Sequence, residues 1–230
     1  MPAIGILGGM GPQASARLHT FLIQKTPDYI RIESDTDFPE IVHISAPVPN
    51  FIHDKTNLKT TKQILIARTK ILETAGCTIN GIACNTAHLL LDDLQETTRV
   101  PFVSLPHLVA EQIEKLGHQR VGLLATPNTL SSTLYDDALA KGVVLVRPDQ
   151  DVALVLDAMI FRQIKGLTTV NDKKSLQDIV ERFTKSKNLD VVILGCTELP
   201  LIFDDDQNEG VIDTLQLLAE GLLTAFTQNR

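Results

Sequence analysis

Short apolar runs alternate with longer segments of helical period along this chain. Seven runs predict strands, at residues 3–7, 41–45, 79–83, 102–104, 120–125, 143–146 and 190–194, and a further strand-like run covers 210–212. Between two of them, apolar residues three and four positions apart predict a helix from Leu58 to Ala75, which Gly76 should end. Strands that are apolar almost throughout are typical of a parallel sheet covered by helices on both faces. The pattern therefore predicts an α/β fold.

The two halves of the chain resemble each other. Ile4-Gly-Ile-Leu-Gly-Gly-Met-Gly-Pro is similar to Val121-Gly-Leu-Leu-Ala-Thr-Pro-Asn-Thr, at an offset of 117 residues. Gly81-Ile-Ala-Cys-Asn-Thr is similar to Ile193-Leu-Gly-Cys-Thr-Glu, which aligns Cys84 with Cys196 at an offset of 112. Two matches at nearly one offset indicate a duplication. We expect two similar α/β lobes with mainly parallel central sheets, the first formed by residues 1–105 with 206–230 and the second by 106–205.

The charge and the apolar runs exclude several classes of function. The chain has 230 residues and a net charge of -7, from 21 Lys and Arg against 28 Asp and Glu, which disfavours nucleic acid and anionic membranes as partners. No apolar stretch approaches the roughly 18 residues of a membrane helix, and the N-terminal residues lack the cationic region of a signal peptide. We expect a cytoplasmic protein that binds a small molecule.

Two of the three cysteines lie where an apolar strand gives way to a polar turn. At such a position the start of the next helix and its free N–H groups stabilise a thiolate, as predicted for Cys84 and Cys196. Asn85, Thr86 and Thr197 are predicted to cap the helices that follow and to offer donors to a substrate carboxylate. A single cysteine is commonly a small buried apolar residue, but a pair at matching positions favours chemistry.

Other groups near these positions are predicted to be structural. Cys77 has no counterpart in the repeat. His88, four residues after Cys84, would be able to reach the thiolate from the first helical turn, but the favoured prediction is that it faces solvent. His107 and Glu111 are four residues apart on one predicted helix, but they lack a third ligand, so no metal site is expected.

Two acid/base groups on opposite faces of one carbon suit racemisation. One group removes the α-proton while the other delivers a proton to the opposite face, so the configuration inverts. Without a cofactor the carbanion needs a dry pocket that is rich in hydrogen-bond donors. The sequence has no recognisable cofactor motif, and we expect no cofactor.

Four short motifs together resemble the aspartate/glutamate racemase family of cofactor-independent, two-cysteine racemases. They are Gly8-Gly-Met-Gly-Pro12, Ala83-Cys-Asn-Thr-Ala-His88, Gly122-Leu-Leu-Ala-Thr126 and Gly195-Cys-Thr-Glu198, and the similarity extends over essentially the whole chain. The resemblance implies two α/β lobes with the active site in the cleft between them, a homodimer, an amino-acid substrate, and Cys84 and Cys196 as the paired bases. The substrate-binding residues that it implies are Met10, Gln13, Phe51, Asn85, Thr86, Thr126, Lys165, Thr197 and Glu198.

Two positions bear on the branch of this family. Glutamate racemases usually carry histidine after the second Cys-Thr pair, whereas Glu198 looks more like the aspartate racemase branch. Aspartate racemases typically carry Pro-Asp-Arg in the loop after the second strand, and their arginine pairs with the side-chain carboxylate of the substrate.

Here that loop reads Pro47-Val-Pro-Asn-Phe51, so Phe51 replaces the arginine, while Lys165 matches the family's second basic position. A buried carboxylate without a partner is costly, so the pocket is expected to disfavour aspartate and to admit a neutral or longer side chain. A different alignment of this loop would let His53 or Lys55 supply the charge.

Three other functions remain open at the level of sequence. The paired cysteines would equally serve a hydantoin racemase, a decarboxylase or a cis-trans isomerase of the same fold. Gly9-Met-Gly-Pro-Gln-Ala14 satisfies a nucleotide-binding pattern, although the strand at 41–45 does not end in the acidic residue that would hold a ribose. A binding protein that has kept the cleft without activity is the third.

Overall fold

The chain forms two compact units in a computed structural model that describes residues 2–51, 55–203 and 210–228. The first unit comprises Met1–Leu105 with Leu215–Arg230, and the second comprises Pro106–Thr214. Each unit contains a four-stranded parallel sheet with helices. The predicted α/β class is confirmed.

The elements follow one another in the alternating order that the sequence predicts. The strands are β1 (Ala3–Gly8), β2 (Glu40–Ser45), β3 (Cys77–Ile82), β4 (Phe102–Val103), β5 (Arg120–Leu124), β6 (Val144–Val146), β7 (Val191–Leu194) and β8 (Val211–Asp213). The α-helices are α1 (Pro12–Tyr29), α2 (Leu58–Thr74), α3 (Leu91–Gln95), α4 (Leu105–Leu116), α5 (Pro127–Leu130), α6 (Gln150–Ile164), α7 (Val170–Lys187), α8 (Leu199–Phe203) and α9 (Thr214–Gln228). Short 3-10 helices cover Asp35–Asp37, Lys55–Asn57 and Thr86–Leu90.

The two sheets have the same strand order. The first runs β2-β1-β3-β4 and the second β6-β5-β7-β8, with every pair parallel. Strands β1 and β5 therefore hold equivalent places, and so do β3 and β7. This shared topology is what a duplicated α/β unit would have.

Strand β8 belongs to a different unit from the one to which the sequence-based boundary would assign it. Its residues Val211–Asp213 pair with β7, with Val211 opposite Val192. A boundary at 205/206 would assign this strand to the first lobe, whereas its pairing makes it the edge of the second sheet. The chain enters the first unit again only at Leu215, and Gly81 of β3 faces Leu222 of α9 there.

Local sequence explains where the helices end and which face they bury. Helix α2 buries Thr61, Leu65, Thr69 and Leu72, which are three or four residues apart. It ends before Gly76, whose φ of +87° is a conformation that glycine adopts without strain. Among the described residues, no helix combines the length and apolarity needed to cross a membrane.

Candidate active site

The glycine-rich turn after β1 brings two backbone segments into close contact. Gly9 has a φ of +94°, and a Cβ atom there would lie 2.5 Å from the backbone N and O of Ala46, just after β2. Ser15 fixes the turn, because its Oγ accepts a hydrogen bond from the Gly9 N–H at 3.2 Å and donates to the Pro12 carbonyl at 3.0 Å. The glycine thus has a packing reason that requires no nucleotide.

The turn also carries two of the predicted binding residues. Met10 is buried in it, and Gln13 is exposed in the first turn of α1.

Cys84 lies two residues beyond β3 and is almost fully buried. Ala83 donates its N–H to the Leu7 carbonyl of β1 at 3.0 Å, so the chain is still attached to the sheet immediately before the cysteine. Asn85 and Thr86 follow it, each 2% exposed, at the start of the 3-10 helix. The prediction that Asn85 caps a helix through its side chain is wrong, because that helix begins without such a bond.

His88 is buried against the Cys84 turn, so the prediction that it faces solvent is wrong. Its Nδ1 lies 2.9 Å from the Cys84 carbonyl oxygen, and its Nε2 accepts the N–H of Leu105 at 3.2 Å. A backbone amide can only donate, so Nε2 is the acceptor and Nδ1–H donates to Cys84. Burial lowers the pKa of His88 to about 4, which keeps the ring neutral at pH 7.

Phe51 shares an apolar cluster with Cys84. The ring is 2% exposed, and the cluster also contains Met10 and Ala46. Met10, Phe51 and Cys84 of the predicted site therefore belong to the same apolar cluster of the first unit. His53 lies outside the described residues.

Cys196 occupies the equivalent place in the second unit, two residues beyond β7. Gly195 donates its N–H to the Leu124 carbonyl of β5 at 2.7 Å. Leu7 and Leu124 are 117 residues apart, which is the offset of the first sequence match, so the same backbone bond precedes the cysteine in both units. The next two residues, Thr197 and Glu198, are 1% and 2% exposed.

The carboxylate of Glu198 is the hydrogen-bond acceptor of this second turn. Its Oε2 accepts from the Cys196 thiol, with Sγ at 3.0 Å, and from the Thr197 hydroxyl at 3.1 Å. The Cys196 carbonyl accepts the N–H of Leu199, where α8 begins, at 3.0 Å. The thiol is thus bound on one side to a carboxylate.

Tyr135 is a buried neighbour of Cys196 that the sequence did not reveal. The ring is 1% exposed, and burial, together with the charge that Cys196 carries when ionised, raises the pKa of the phenol. Tyr135 sits in the polar run Ser-Ser-Thr-Leu-Tyr-Asp-Asp, which has no apolar period. Nothing in that run distinguishes a buried tyrosine from an exposed one.

The two remaining predicted binding residues of the second unit differ in exposure. Thr126 is buried at the start of α5, where its hydroxyl accepts from the Thr129 N–H and donates to the Thr129 Oγ1 at 3.1 Å. Lys165 is exposed at the end of α6, with its Nζ 5.3 Å from the centre of the Phe161 ring. That distance allows a cation–π contact.

Cys77 differs from the other two cysteines. It lies within β3, is buried, and has its thiol pKa raised to about 11 by burial and by the nearby charge of Glu40. Such a thiol stays protonated near neutral pH and is a poor nucleophile. Within the described ranges, no group of three or more His, Cys, Asp or Glu side chains is arranged to hold a metal ion.

Comparisons with known proteins agree with the fold and with the motifs. A family model described as Asp/Glu/Hydantoin racemase matches residues 7–222. The broad specificity amino-acid racemase RacX of Bacillus subtilis is 27% identical over 232 aligned residues, which cover 97% of each chain.

Two solved structures are similar over nearly their whole length. A crystal structure of an aspartate racemase homologue from Pyrococcus horikoshii OT3 has a TM-score of 0.79 and 30% identity, covering 98% of this chain and 99% of that one. The aspartate racemase of Picrophilus torridus has a TM-score of 0.75 and 28% identity, covering 98% of this chain and 94% of that one. The resemblance inferred from the motifs is confirmed: the chain belongs to the Asp/Glu/Hydantoin racemase family.

Proposed function

We propose that this protein racemises an amino acid without a cofactor, with Cys84 and Cys196 as its two acid/base groups. The observation that carries the proposal is the equivalence of the two cysteines. Each follows the third strand of its sheet by two residues, and each is preceded by the same hydrogen bond to the neighbouring strand. Membership of a racemase family supports the reaction type.

In the proposed reaction, protons and charges balance within one turnover. A thiolate removes the α-proton, the C–H electron pair stays on the substrate, and the thiol of the other cysteine donates its proton to the opposite face. The inverted amino acid leaves behind the two cysteines with exchanged protonation states. Because both cysteines are 3–4% exposed, little water competes for either proton.

The buried polar residues beside the cysteines are suited to holding the substrate. Asn85, Thr86 and Thr197 have amide or hydroxyl groups that can donate to the α-carboxylate, whose negative charge grows as the carbanion forms. Met10, Gln13 and Thr126 complete the proposed lining. The assignments of Asn85, Thr86 and Thr197 rest on the family resemblance and on their burial next to a cysteine in the sequence, whereas those of Met10, Gln13 and Thr126 rest on the resemblance alone.

We further propose a substrate with a neutral or longer side chain. Phe51 places an aromatic ring, within an apolar cluster, where aspartate racemases typically carry arginine. A carboxylate facing that cluster would lose hydration without gaining a cationic partner there. The name of the Bacillus relative, a broad specificity racemase, is consistent with such a pocket.

Loss of the α-hydrogen signal in deuterated buffer tests the reaction directly. Purified, dialysed protein with reductant would be incubated with L- and D-amino acids that include aspartate, glutamate and neutral side chains, together with a 5-substituted hydantoin. Proton NMR and chiral chromatography would follow exchange and inversion. Exchange with inversion of an amino acid, unaffected by hydroxylamine, is expected, whereas inversion of the hydantoin alone would contradict the proposed substrate class.

Three single substitutions identify the bases. Cys84→Ser and Cys196→Ser are each expected to lower racemisation by about 10³-fold or more, because a serine hydroxyl does not ionise near neutral pH. Cys77→Ser is the matched control, since that buried thiol has no proposed role, and it is expected to keep the parent's rate. Near-normal turnover in either Cys84→Ser or Cys196→Ser would contradict the two-base mechanism.

The resemblance also implies a homodimer in the cytoplasm. Light scattering after size-exclusion chromatography would measure the oligomeric state, and fractionation of the source cells would show the compartment. A monomer at the concentrations used for the activity assay would contradict the dimer.

A further inference from the structure

The two cysteine turns differ in the residue two positions after the cysteine. In the second unit the Cys196 Sγ lies 3.0 Å from Oε2 of Glu198, and the thiol is the donor of that bond. The same oxygen also accepts from the Thr197 hydroxyl. In the first unit the residue two positions after the cysteine is Thr86, which cannot carry a negative charge.

A carboxylate at this distance favours one protonation state of the thiol. A thiol can donate to the carboxylate, whereas a thiolate beside it would place two negative charges about 3 Å apart. The pair is almost fully buried, so water screens that repulsion weakly. Tyr135 also interacts electrostatically with Cys196, and its buried phenol stays neutral, so Tyr135 leaves the repulsion between the two negative charges in place.

We propose that Glu198 is a positioning residue that keeps Cys196 protonated in the resting protein. Cys196 is then the acid that meets the first substrate, and Cys84 is the base. This inference rests on the proposed racemase function for its consequence in turnover, but the state of the thiol is a property of the protein alone. It gives Glu198 a role toward the thiol in place of the substrate contact that the family resemblance implies.

The consequence in turnover is an asymmetry between the two directions. After Cys196 has given its proton to the carbanion, it is a thiolate beside Glu198, and Cys84 holds the proton taken from the substrate. Loss of the Cys84 proton to water and uptake of a proton by Cys196 restore the resting state. The equilibrium constant of racemisation is one, so kcat/KM must be equal for the two enantiomers; the asymmetry therefore shows as separate kcat and KM values.

Alkylation of the individual cysteines measures the state of each thiol without any substrate. The intact protein would be treated with iodoacetamide between about pH 6 and about pH 10, and modification of Cys84 and Cys196 would be quantified by peptide mass spectrometry. The thiolate is the reacting form, so the pH midpoint reports ionisation. In the parent we expect a higher midpoint for Cys196 than for Cys84; equal midpoints, or a lower one for Cys196, would overturn the proposal.

Two substitutions separate charge from packing. Glu198→Gln keeps the shape of the side chain and removes the charge, so we expect alkylation of Cys196 near pH 7 to rise by about tenfold, the effect of one pKa unit, with Cys84 unchanged. Glu198→Asp keeps a carboxylate and should leave Cys196 close to the parent's rate. An equal rise in both variants would show that altered access, rather than charge, controls the thiol, and would overturn the proposal.

Failure of this inference is distinguishable from failure of the proposed function. If the parent inverts an amino acid but Cys196 ionises as readily as Cys84, the role of Glu198 is wrong and the two-base reaction stands. If Glu198→Gln changes Cys196 as expected but no substrate exchanges its α-hydrogen, the thiol–carboxylate pair stands and the racemase proposal fails.

Discussion

His88 donates its Nδ1–H to the carbonyl oxygen of Cys84 across 2.9 Å, within the buried turn that follows β3. The opposite ring nitrogen accepts the N–H of Leu105, so one neutral imidazole satisfies two backbone groups that are 21 residues apart in the chain. A second ring proton would point at the Leu105 N–H and would be a buried charge. The turn that positions the proposed base is therefore built on a histidine that has to stay neutral.

The first prediction concerns the pH dependence of stability. The pKa of folded His88 is about 4, below its ordinary value of 6.5, because burial disfavours the charged ring. Between these values the unfolded chain binds more protons than the folded one, so the free energy of unfolding is full above pH 6.5 and falls as the pH falls toward 4. The expected loss is about 2.5 kcal/mol, measured by urea unfolding at about pH 7.5 and about pH 4.5.

Two variants isolate the contribution of His88 from that of other titrating groups. His88→Asn keeps an N–H donor near the Cys84 carbonyl but does not titrate in this range, so the difference between the two pH values should shrink. His107→Asn removes an exposed histidine of α4 and should leave the parent's pH difference intact. An unchanged pH difference in His88→Asn would contradict the assignment.

The second prediction concerns the turn at Gly9. An added methyl group there would meet the backbone of Ala46 at 2.5 Å, and backbone atoms cannot move aside as a flexible side chain can. Gly117 also has a positive φ, of +72°, but its Cβ position is open. Gly117→Ala should therefore lower the free energy of unfolding only by the cost of the backbone conformation, about 1 kcal/mol. Gly9→Ala should lower the free energy of unfolding by about 1–3 kcal/mol more, because the added methyl group overpacks the turn.

Urea unfolding of the two alanine variants measures this difference. Equal losses would show that the β1–α1 turn can move away from Ala46, and that close approach of the backbone is not what requires glycine at position 9.

The strands that position the candidate site could be predicted from the sequence, because they follow from the periodicity of apolar residues. Buried parallel strands are apolar almost throughout, so β3 and β7 could be recognised, and the residues directly after them could be placed at the strand ends. The position of Cys84 and Cys196 is a consequence of chain order alone. The repeat could likewise be recognised from the sequence, because the similar segments recur at nearly one offset along the chain.

What the sequence could not give depends on groups that are brought together only by folding. The burial of His88 requires the Leu105 amide, which lies 17 residues further on. The contact between Cys196 and Glu198 requires a turn conformation that brings positions two apart onto one side. Strand β8 has three residues, too few for a period to indicate which sheet it joins.

The third prediction concerns the junction of α6 and α7. Asp172 lies in the first turn of α7, where one carboxylate oxygen accepts the N–H and the hydroxyl of Thr169, both at 2.9 Å. The other oxygen accepts from the guanidinium of Arg162 in α6, and these hydrogen bonds hold the pKa of Asp172 at about 2. Asp172→Asn loses the charge and part of this hydrogen-bond network, so the free energy of unfolding should fall by about 1–2 kcal/mol near pH 7.

Glu181→Gln is the matched control for Asp172→Asn. Glu181 forms an ion pair with Lys185 on the same helix, but both side chains are exposed. Exposed pairs are screened by water and salt, so this change should leave the unfolding midpoint unchanged. Equal losses of unfolding free energy in the two variants would show that the hydrogen bonds of Asp172 between α7 and α6 stabilise the protein no more than an exposed ion pair does.

The fourth prediction concerns substrate choice at Phe51. Phe51→Arg supplies a planar cation that can bind a side-chain carboxylate through two parallel hydrogen bonds, in place of an aromatic ring within an apolar cluster. The ratio of kcat/KM for aspartate to that for a neutral amino acid should rise by about 10- to 100-fold, equivalent to about 1.4–2.8 kcal/mol. Phe51→Leu, which keeps an apolar side chain, should leave the ratio close to the parent's. An unchanged ratio in a folded Phe51→Arg variant would place residue 51 outside the substrate pocket, because a guanidinium within reach of the carboxylate could not leave aspartate binding unaffected. A lower ratio would contradict the expected pairing of the guanidinium with the side-chain carboxylate.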